Sequence, residues 1–244
     1  MAATLDNAAA GVGGEPLAPA VLFEDEWLLA AEKPAGIIVH ADGTGAATLT
    51  DLIRERLLAA GETQAAAELQ AVQRLDRETS GVVLFSKSKD VQPKLDALVA
   101  AHDGIEKRYL AIVRGEFPEG ERRITAAIAR DRHDARRMRQ GAHGKPAETR
   151  VRRLATAGGR GKRVSLVECV LKTGRKHQIR VHLAGLGFPI MGDALYGVPA
   201  DRAGSAALML HAKSEQLVHP VTGEGLYITS PYPQRFAKLF PNEH

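Results

Sequence analysis

The chain has 244 residues, of which 44% are apolar and 25% charged, and its formal net charge is +4. This composition is ordinary for a folded globular protein with a core of its own. The single cysteine, Cys169, excludes an internal disulfide and a cysteine-rich zinc site. No apolar stretch approaches the roughly 20 residues of a membrane-spanning helix, and the N-terminus lacks the basic-then-apolar order of a secretion signal. We therefore expect a soluble protein of the reducing cytoplasm that does not bind a membrane.

The charge is distributed unevenly along the chain. Residues 106–182 contain 21 Lys and Arg against 8 Asp and Glu, a net charge of +13, whereas the remainder is net acidic. Such segregation is typical of a protein that binds a polyanion on one face.

The first half of the chain mixes strands and helices. Residues 1–18 are rich in Ala, Gly and Pro without an apolar period, which predicts a disordered tail followed by one folded domain over residues 19–244. The predicted elements are, in chain order, strands at 21–23 and 27–31, a helix capped by Thr48 or Thr50 and ended by Gly61, strands at 72–75 and 82–85, and a helix at 89–101.

The second half is rich in predicted strands. They lie at 108–113, 123–128, 147–154, 163–171, 208–210, 217–218 and 226–228. Residues 130–145 carry many charges and almost no apolar side chain, which predicts an arm outside the core. Apolar residues at i, i+4 and i+7 predict a helix over 177–187. This order of elements favours an α+β fold with a mixed, largely antiparallel central sheet and flanking helices and loops.

Two opposite charges interrupt an otherwise apolar strand end at Arg74 and Asp76. In an extended backbone both side chains lie on one face, while Leu75 points to the other. Buried ions are costly unless they are paired, so such a site either compensates the charges or uses them. Taken alone, the segment is equally compatible with a surface ion pair beside a Thr-Ser-Gly turn.

A second group of charges stands at residues 172–180, where Lys172, Arg175, Lys176, His177 and Arg180 crowd together. If the predicted helix begins near Thr173, four of these side chains lie at its positive end, which opposes helix stability. A bound phosphate or carboxylate would explain the arrangement, since helix N-termini with free N–H groups bind anions. The alternative is a solvated basic face.

Other candidate sites carry weaker signals. Tyr109 lies among basic residues, which suits stacking on an unpaired base, although such a tyrosine is commonly part of the core. His177 and His182 are five residues apart and have no further ligand at a usual spacing, so we expect no metal site. No phosphate-binding glycine pattern precedes a helix, and we expect no nucleotide cofactor.

Taken together, these segments resemble the RluA-type pseudouridine synthase family over about residues 21–233. Four ordered matches carry the resemblance: residues 21–25 with Lys33-Pro34-Ala35-Gly36; Arg74-Leu75-Asp76-Arg77-Glu78-Thr79-Ser80-Gly81; residues 174–182 with Gly192-Asp193-Ala194-Leu195-Tyr196-Gly197; and Leu210-His211-Ala212 with His219-Pro220. Four ordered motifs are far more specific than a lone short pattern. The chain departs from the family at Gln73, where His is usual, and we expect Gln73 to lie outside direct substrate contact and Gln73→His to be nearly silent.

The resemblance implies an enzyme that isomerises uridine in RNA to pseudouridine without a cofactor or metal. It makes Asp76 the essential carboxylate, Arg180 its partner, and Tyr109 the tyrosine that packs on the uracil and assists removal of the C5 proton. Arg74 would fill the space left by the extruded nucleotide, since a stacked base must leave its stack to be reached.

For RNA binding we expect Arg74, Arg77, Thr79, Arg175, Lys176 and His177 to contribute. The expected partner is a stem-loop of ribosomal or transfer RNA, bound by a monomer. Two rival interpretations are a catalytically idle RNA-binding protein on the same fold and a hydrolase of small glycosides, which needs a second carboxylate such as Glu78. For Arg180→Ala we expect strongly reduced turnover with folding preserved.

Overall fold

The computed structural model describes residues 19–101, 104–159, 162–203 and 207–243, and the predicted tail at 1–18 lies outside them. The strands are β1 Val21–Glu24, β2 Leu28–Lys33, β3 Gln70–Ala71, β4 Ser80–Ser86, β5 Ile105–Arg114, β6 Glu121–Ile124, β7 Ile128–Arg130, β8 Met138–Gln140, β9 Thr149–Ala157, β10 Val164–Leu171, β11 Leu210–Val218 and β12 Gly225–Thr229. The helices are α1 Leu49–Ala59, α2 Thr63–Glu68, α3 Gln92–Ala100, α4 Gln178–Gly185, α5 Pro199–Ala203 and α6 Gln234–Ala237. Each of these helices is too short to cross a bilayer.

Ten strands form one sheet. Eight of them have the order β1-β2-β4-β11-β5-β10-β9-β6, and in addition β3 pairs with β4 and β12 pairs with β11. Only β4 and β11 run parallel, whereas the other pairs are antiparallel. The predicted mixed, largely antiparallel sheet is confirmed. Strands β7 and β8 form a separate two-stranded hairpin, which confirms the arm predicted at 130–145.

The parallel contact between β4 and β11 depends on a glycine. Ser80 pairs with His211 and Gly81 with Ala212. Gly81 has φ +116°, and a Cβ at this position would lie 2.1 Å from the carbonyl oxygen of Ala212. A side chain is excluded by both the backbone conformation and the close approach, so this glycine allows the two halves of the chain to meet.

Helices cover the face of the sheet on which Tyr109 lies. Helix α1 begins with a capping box in which the Thr48 hydroxyl accepts a hydrogen bond from the Asp51 amide at 3.1 Å, which selects Thr48 over Thr50 as the cap. Ile53 of α1 and Leu183 of α4 pack in the same apolar cluster as Tyr109. Helix α4 lies against β9, where the side chains of Gln178 and His182 both contact the Thr149 hydroxyl.

Several predicted boundaries were wrong. Residues 72–75 are not a strand: Val72 donates to the carbonyl of Leu84, and the chain then turns away from the sheet. Helix α4 begins at Gln178 rather than near Thr173, because the Gln178 side chain accepts hydrogen bonds from Thr173 and the Arg175 amide and ties that segment into a turn. The strands predicted at 208–210 and 217–218 are parts of one strand, β11.

Candidate active site

Asp76 lies on a tight loop that joins β3 to β4. The amide of Thr79 donates to the Asp76 carbonyl at 3.1 Å and closes the turn. The carbonyl of Arg77, the next residue, accepts hydrogen bonds from the Gly36 amide at 2.8 Å and from Lys33 Nζ at 2.9 Å. The segment that begins at Lys33 therefore holds the loop through hydrogen bonds to the Arg77 carbonyl.

Lys33 is a fully buried lysine with a complete set of partners. Besides Arg77, its Nζ donates to the carbonyls of Pro34 at 2.9 Å and Ile37 at 2.6 Å. Burial lowers the pKa of Lys33 to about 7, although the charges of Glu78 and Asp76 act to raise it. Three carbonyl acceptors match the three donors of an ammonium group, so we assign the protonated form, which clamps the Asp76 loop.

Arg180 joins Asp76 to a second carboxylate. Its Nη1 donates to Asp76 Oδ2 at 3.0 Å, while Nε donates to Asp193 Oδ2 and Nη2 to Asp193 Oδ1, both at 2.8 Å. The guanidinium is 4% exposed, Asp193 is fully buried and Asp76 is 23% exposed. Two hydrogen bonds to Asp193 therefore fix Arg180 on its buried side. Its Nη1 group points to Asp76, which is partly exposed to solvent.

Arg180 and Asp193 form a buried ion pair in which each group stabilises the charge of the other. Burial acts to raise the pKa of Asp193, but the hydrogen bonds and charge of Arg180 outweigh it, and the amides of Tyr196 and Leu195 add to the lowering. Burial likewise acts to lower the pKa of Arg180, and the two carboxylates raise it well above its ordinary value. Both groups are charged at neutral pH, so the site has a fixed positive charge beside Asp76.

His177 stands on the other side of the Asp76 carboxylate. It is the only non-glycine residue with positive φ in the described ranges, at +57°. Its Nδ1 lies 2.8 Å from the Tyr196 hydroxyl and its Nε2 lies 3.7 Å from Asp76 Oδ1. Since the Met138 amide donates to that hydroxyl, the hydroxyl hydrogen is free to point at Nδ1, which leaves the imidazole hydrogen on Nε2, facing Asp76. Burial lowers the pKa of His177, although Asp76 opposes it, and the ring is neutral.

Tyr109 approaches the site from β5. Its side chain is 7% exposed. Burial raises the pKa of its phenol far above the ordinary value, and the carboxyl groups of Glu215 and Asp76 raise it further, which indicates that both lie near the ring. The hydroxyl therefore stays protonated at neutral pH and is a hydrogen-bond donor rather than a base.

The structure brings Asp76, Arg180, Tyr109 and His177 together. Arg74 and Arg77 are exposed beside them, and Arg77 Nη2 lies 3.5 Å from Asp42 Oδ2. Lys176 is exposed, whereas Arg175 is half-buried and donates to the Pro146 carbonyl at 3.0 Å. Thr79 is only 2% exposed, so its visible contribution is to the turn, and its contact with RNA stays a prediction.

Sequence reasoning missed Asp193 and Tyr196 as site residues. Both belong to the segment 192–197 quoted for the family resemblance, but nothing in their spacing connects them with Arg180 or His177. Lys33 was likewise part of a quoted motif, and a lysine within an apolar strand end is a signal for a partnered buried charge. Among the described residues, no three His, Cys, Asp or Glu side chains are grouped as a metal site, and the expectation of a metal-free reaction stays a prediction.

Known proteins resemble this chain in sequence and fold. Residues 28–185 match the family model described as RNA pseudouridylate synthase. An uncharacterized RNA pseudouridine synthase, YhcT, from Bacillus subtilis (strain 168) is 38% identical over 220 residues, covering 90% of this chain and 70% of that protein. Ribosomal large subunit pseudouridine synthase C from Salmonella typhimurium is 36% identical over 232 residues, covering 88% and 67%. The solved structure of Human RNA Pseudouridylate Synthase Domain Containing 1 gives a TM-score of 0.72 at 27% identity, covering 88% of this chain and 84% of that chain.

Proposed function

Because the chain belongs to the RluA-type family of RNA pseudouridine synthases, enzymes that isomerise uridine in RNA to pseudouridine, we propose that Asp76 is the carboxylate that performs the reaction. One observation supports this assignment above the others. Asp76 is a partly exposed carboxylate whose oxygens face Arg180 and His177, on a loop held by buried contacts. A positioned carboxylate with an open side can act as a nucleophile or base at a sugar or pyrimidine carbon.

Arg180 and His177 serve Asp76 in different ways in this proposal. Arg180 keeps one Asp76 oxygen in place and puts a positive charge beside it, while its own position is fixed by Asp193. His177 offers a neutral N–H toward the other oxygen at 3.7 Å, a distance that shortens to a hydrogen bond with a small movement of the loop. Both are positioning residues, since they act on the substrate through Asp76.

Tyr109 is proposed to pack on the uracil during its turn. A phenol with a strongly raised pKa is a poor source of phenolate, so direct removal of the C5 proton by Tyr109 is disfavoured. A protonated hydroxyl can instead donate a hydrogen bond to a carbonyl of the detached base while the ring supports its face. The family resemblance implies two roles for Tyr109, packing on the uracil and assisting removal of the C5 proton. The proposal keeps the first of them.

The RNA is proposed to lie across the basic part of the chain. Arg74 and Arg77 flank Asp76, Lys176 lies next to His177, and β6 pairs Arg123 with Arg150 of β9 at the edge of the sheet. Such side chains hold phosphates without reading sequence. Arg175 and Thr79 contribute to RNA binding indirectly, Arg175 through the turn that precedes α4 and Thr79 through the Asp76 loop. A ribosomal or transfer RNA stem-loop, a monomeric enzyme and a cytoplasmic location complete the proposal.

The test is pseudouridine formation on ribosomal and transfer RNA isolated from cells that lack the gene. Asp76→Asn keeps the shape of the side chain and removes its charge, and we expect no detectable product at normal RNA affinity. Asp90→Asn, at an exposed carboxylate outside the site, is the matched control and should retain wild-type activity. Product formation by Asp76→Asn at the wild-type rate would overturn the assignment.

A further inference from the structure

A buried acid that the proposed reaction does not use lies beside the active-site tyrosine. Glu215 of β11 is 1% exposed and pairs in register with Lys107 of β5, two residues before Tyr109. A carboxyl group enclosed in a sheet is rare unless a partner compensates it. The burial of this acid on β11, beside the active site, therefore requires an explanation.

The partner of Glu215 is Gln73, at the base of the Asp76 loop. Gln73 Nε2 donates to Glu215 Oε1. The two remaining oxygens, Gln73 Oε1 and Glu215 Oε2, are buried without a hydrogen-bond partner in the described part of the chain. Two buried acceptors that lack a donor, on two side chains already joined by one hydrogen bond, signal that one hydrogen atom is unaccounted for.

A proton on Glu215 supplies the missing donor. An ionised carboxylate accepts only, whereas a carboxylic acid has one O–H to donate. Both end groups are planar and their last torsions are soft, so Glu215 Oε2–H can donate to Gln73 Oε1 while Gln73 Nε2–H donates to Glu215 Oε1. The resulting ring of two hydrogen bonds satisfies all four oxygen and nitrogen atoms that meet there.

We propose that Glu215 is a neutral carboxylic acid paired with Gln73, and that this pair positions the base of the Asp76 loop against β11, so that loss of the proton disables the enzyme. This inference rests on the proposed roles of Asp76 and Tyr109. Glu215 acts through Gln73 and is a positioning residue. Gln73→His therefore alters the pair, contrary to the expectation from sequence that this change would be nearly silent.

The surroundings of Glu215 favour the neutral form. From β5 it is faced by Lys107 and Tyr109, from the loop by Gln73 with Asp76 beyond it, and on β12 its register partner is the apolar Ile228. Burial raises the pKa of Glu215 to about 7, although Lys107 and the Gln73 hydrogen bond act to lower it. Ionisation would remove the O–H donor of Glu215 and leave two buried acceptor oxygens, one on each side chain, without a partner.

The first test is the pH profile of kcat/KM and of kcat for wild type and Glu215→Gln. An amide at this position pairs with Gln73 at every pH and cannot ionise. Loss of the Glu215 proton, with a midpoint near 7, should lower kcat by about tenfold between pH 6 and pH 8. Lys33, whose pKa is also about 7, is present in both proteins, so we expect the decline to be about tenfold greater in wild type than in Glu215→Gln. Glu55→Gln, at an exposed position on α1, is the control and should keep the wild-type profile. A wild-type profile that is flat in this range, or equal declines in both proteins, would overturn the proposal.

The second test does not depend on catalysis. Carbon-13 carboxyl resonances of glutamate-labelled wild type are titrated, and the Glu215 signal is identified by its absence in Glu215→Gln. A midpoint near neutrality supports the proposal, and a midpoint near the ordinary value of about 4.3 refutes it. The same titration in Asp76→Asn keeps the inference separate from the proposed function: if Asp76→Asn remained fully active, the role of Asp76 would fail while the Glu215 midpoint would still stand or fall on its own.

Discussion

The guanidinium of Arg180 donates one hydrogen bond of 3.0 Å to the carboxylate of Asp76, from a position 104 residues further along the chain. The bond is the exposed end of a buried assembly, because the other side of the same guanidinium is held by Asp193. A change at Arg180 therefore affects folding as well as turnover.

Arg180→Ala should unfold more easily than wild type, contrary to the expectation from sequence that folding would be preserved. It leaves the Asp193 carboxylate buried without its partner, which costs about 3–5 kcal/mol in the free energy of unfolding. The measurement is urea unfolding followed by circular dichroism. The double variant Arg180→Ala with Asp193→Ala removes the stranded charge and should recover part of the loss, and an Arg180→Ala protein as stable as wild type would contradict the buried-pair assignment.

His177→Gly should lower turnover while leaving the free energy of unfolding nearly unchanged. Glycine adopts positive φ without strain, which recovers up to about 1 kcal/mol and offsets the lost hydrogen bond to Tyr196. We expect a free energy of unfolding within about 1 kcal/mol of wild type and turnover reduced by at least tenfold. His177→Asn, which also tolerates positive φ, is the control for backbone effects. Equal turnover in wild type and His177→Gly would show that the imidazole does not assist Asp76.

The sequence was sufficient for the strand-rich fold, which depends on periodicity, and for the pairing of Asp76 with Arg180, which depends on motifs with fixed order. Tyr109 came only from the family resemblance, since its own sequence signal was weak. It was insufficient for Asp193 and Glu215. Their roles arise from contacts with Arg180 and Gln73 across 13 and 142 residues, which no local pattern encodes. The start of α4 was misplaced for a similar reason, since the side chain of Gln178 bonds Thr173, the Arg175 amide and the Glu148 carbonyl, and only the folded chain brings Glu148 to it.

Lys33→Met should loosen the Asp76 loop. The substitution keeps most of the apolar stem but leaves the carbonyls of Pro34, Ile37 and Arg77 without their donor. Each unpartnered buried acceptor costs about 1–3 kcal/mol, so we expect a clear fall in the melting temperature and faster amide hydrogen exchange in the loop. Lys94→Met, at an exposed position on α3, should change neither measurement. An unchanged exchange rate at Arg77 and Glu78 would argue against the clamp.

Arg74 and Arg122, an exposed arginine of β6 next to Arg123, should differ in what they contribute to RNA recognition. Both are exposed, so neither substitution should affect folding. Arg74→Ala should lower kcat on a structured stem-loop more than on an unstructured oligonucleotide, because its proposed task is to replace an extruded base. Arg122→Ala should instead weaken binding on both substrates and reduce the slope of log K against log salt by about 1. Identical effects of the two variants would contradict separate roles.

The parallel contact of β4 with β11 also determines when the enzyme can become active during its synthesis. Ser80 and His211, which pair there, are 131 residues apart, and contacts of such separation form late because a long loop must close first. On the ribosome, β3 can pair with the C-terminal end of β4 early, but Ser80 and Gly81 at its start lack their neighbours until the segment ending at Val218 has left the exit tunnel. We therefore expect a nascent chain to be inactive on RNA until this contact forms, and the open start of β4 to be a surface that a chaperone would shield until then.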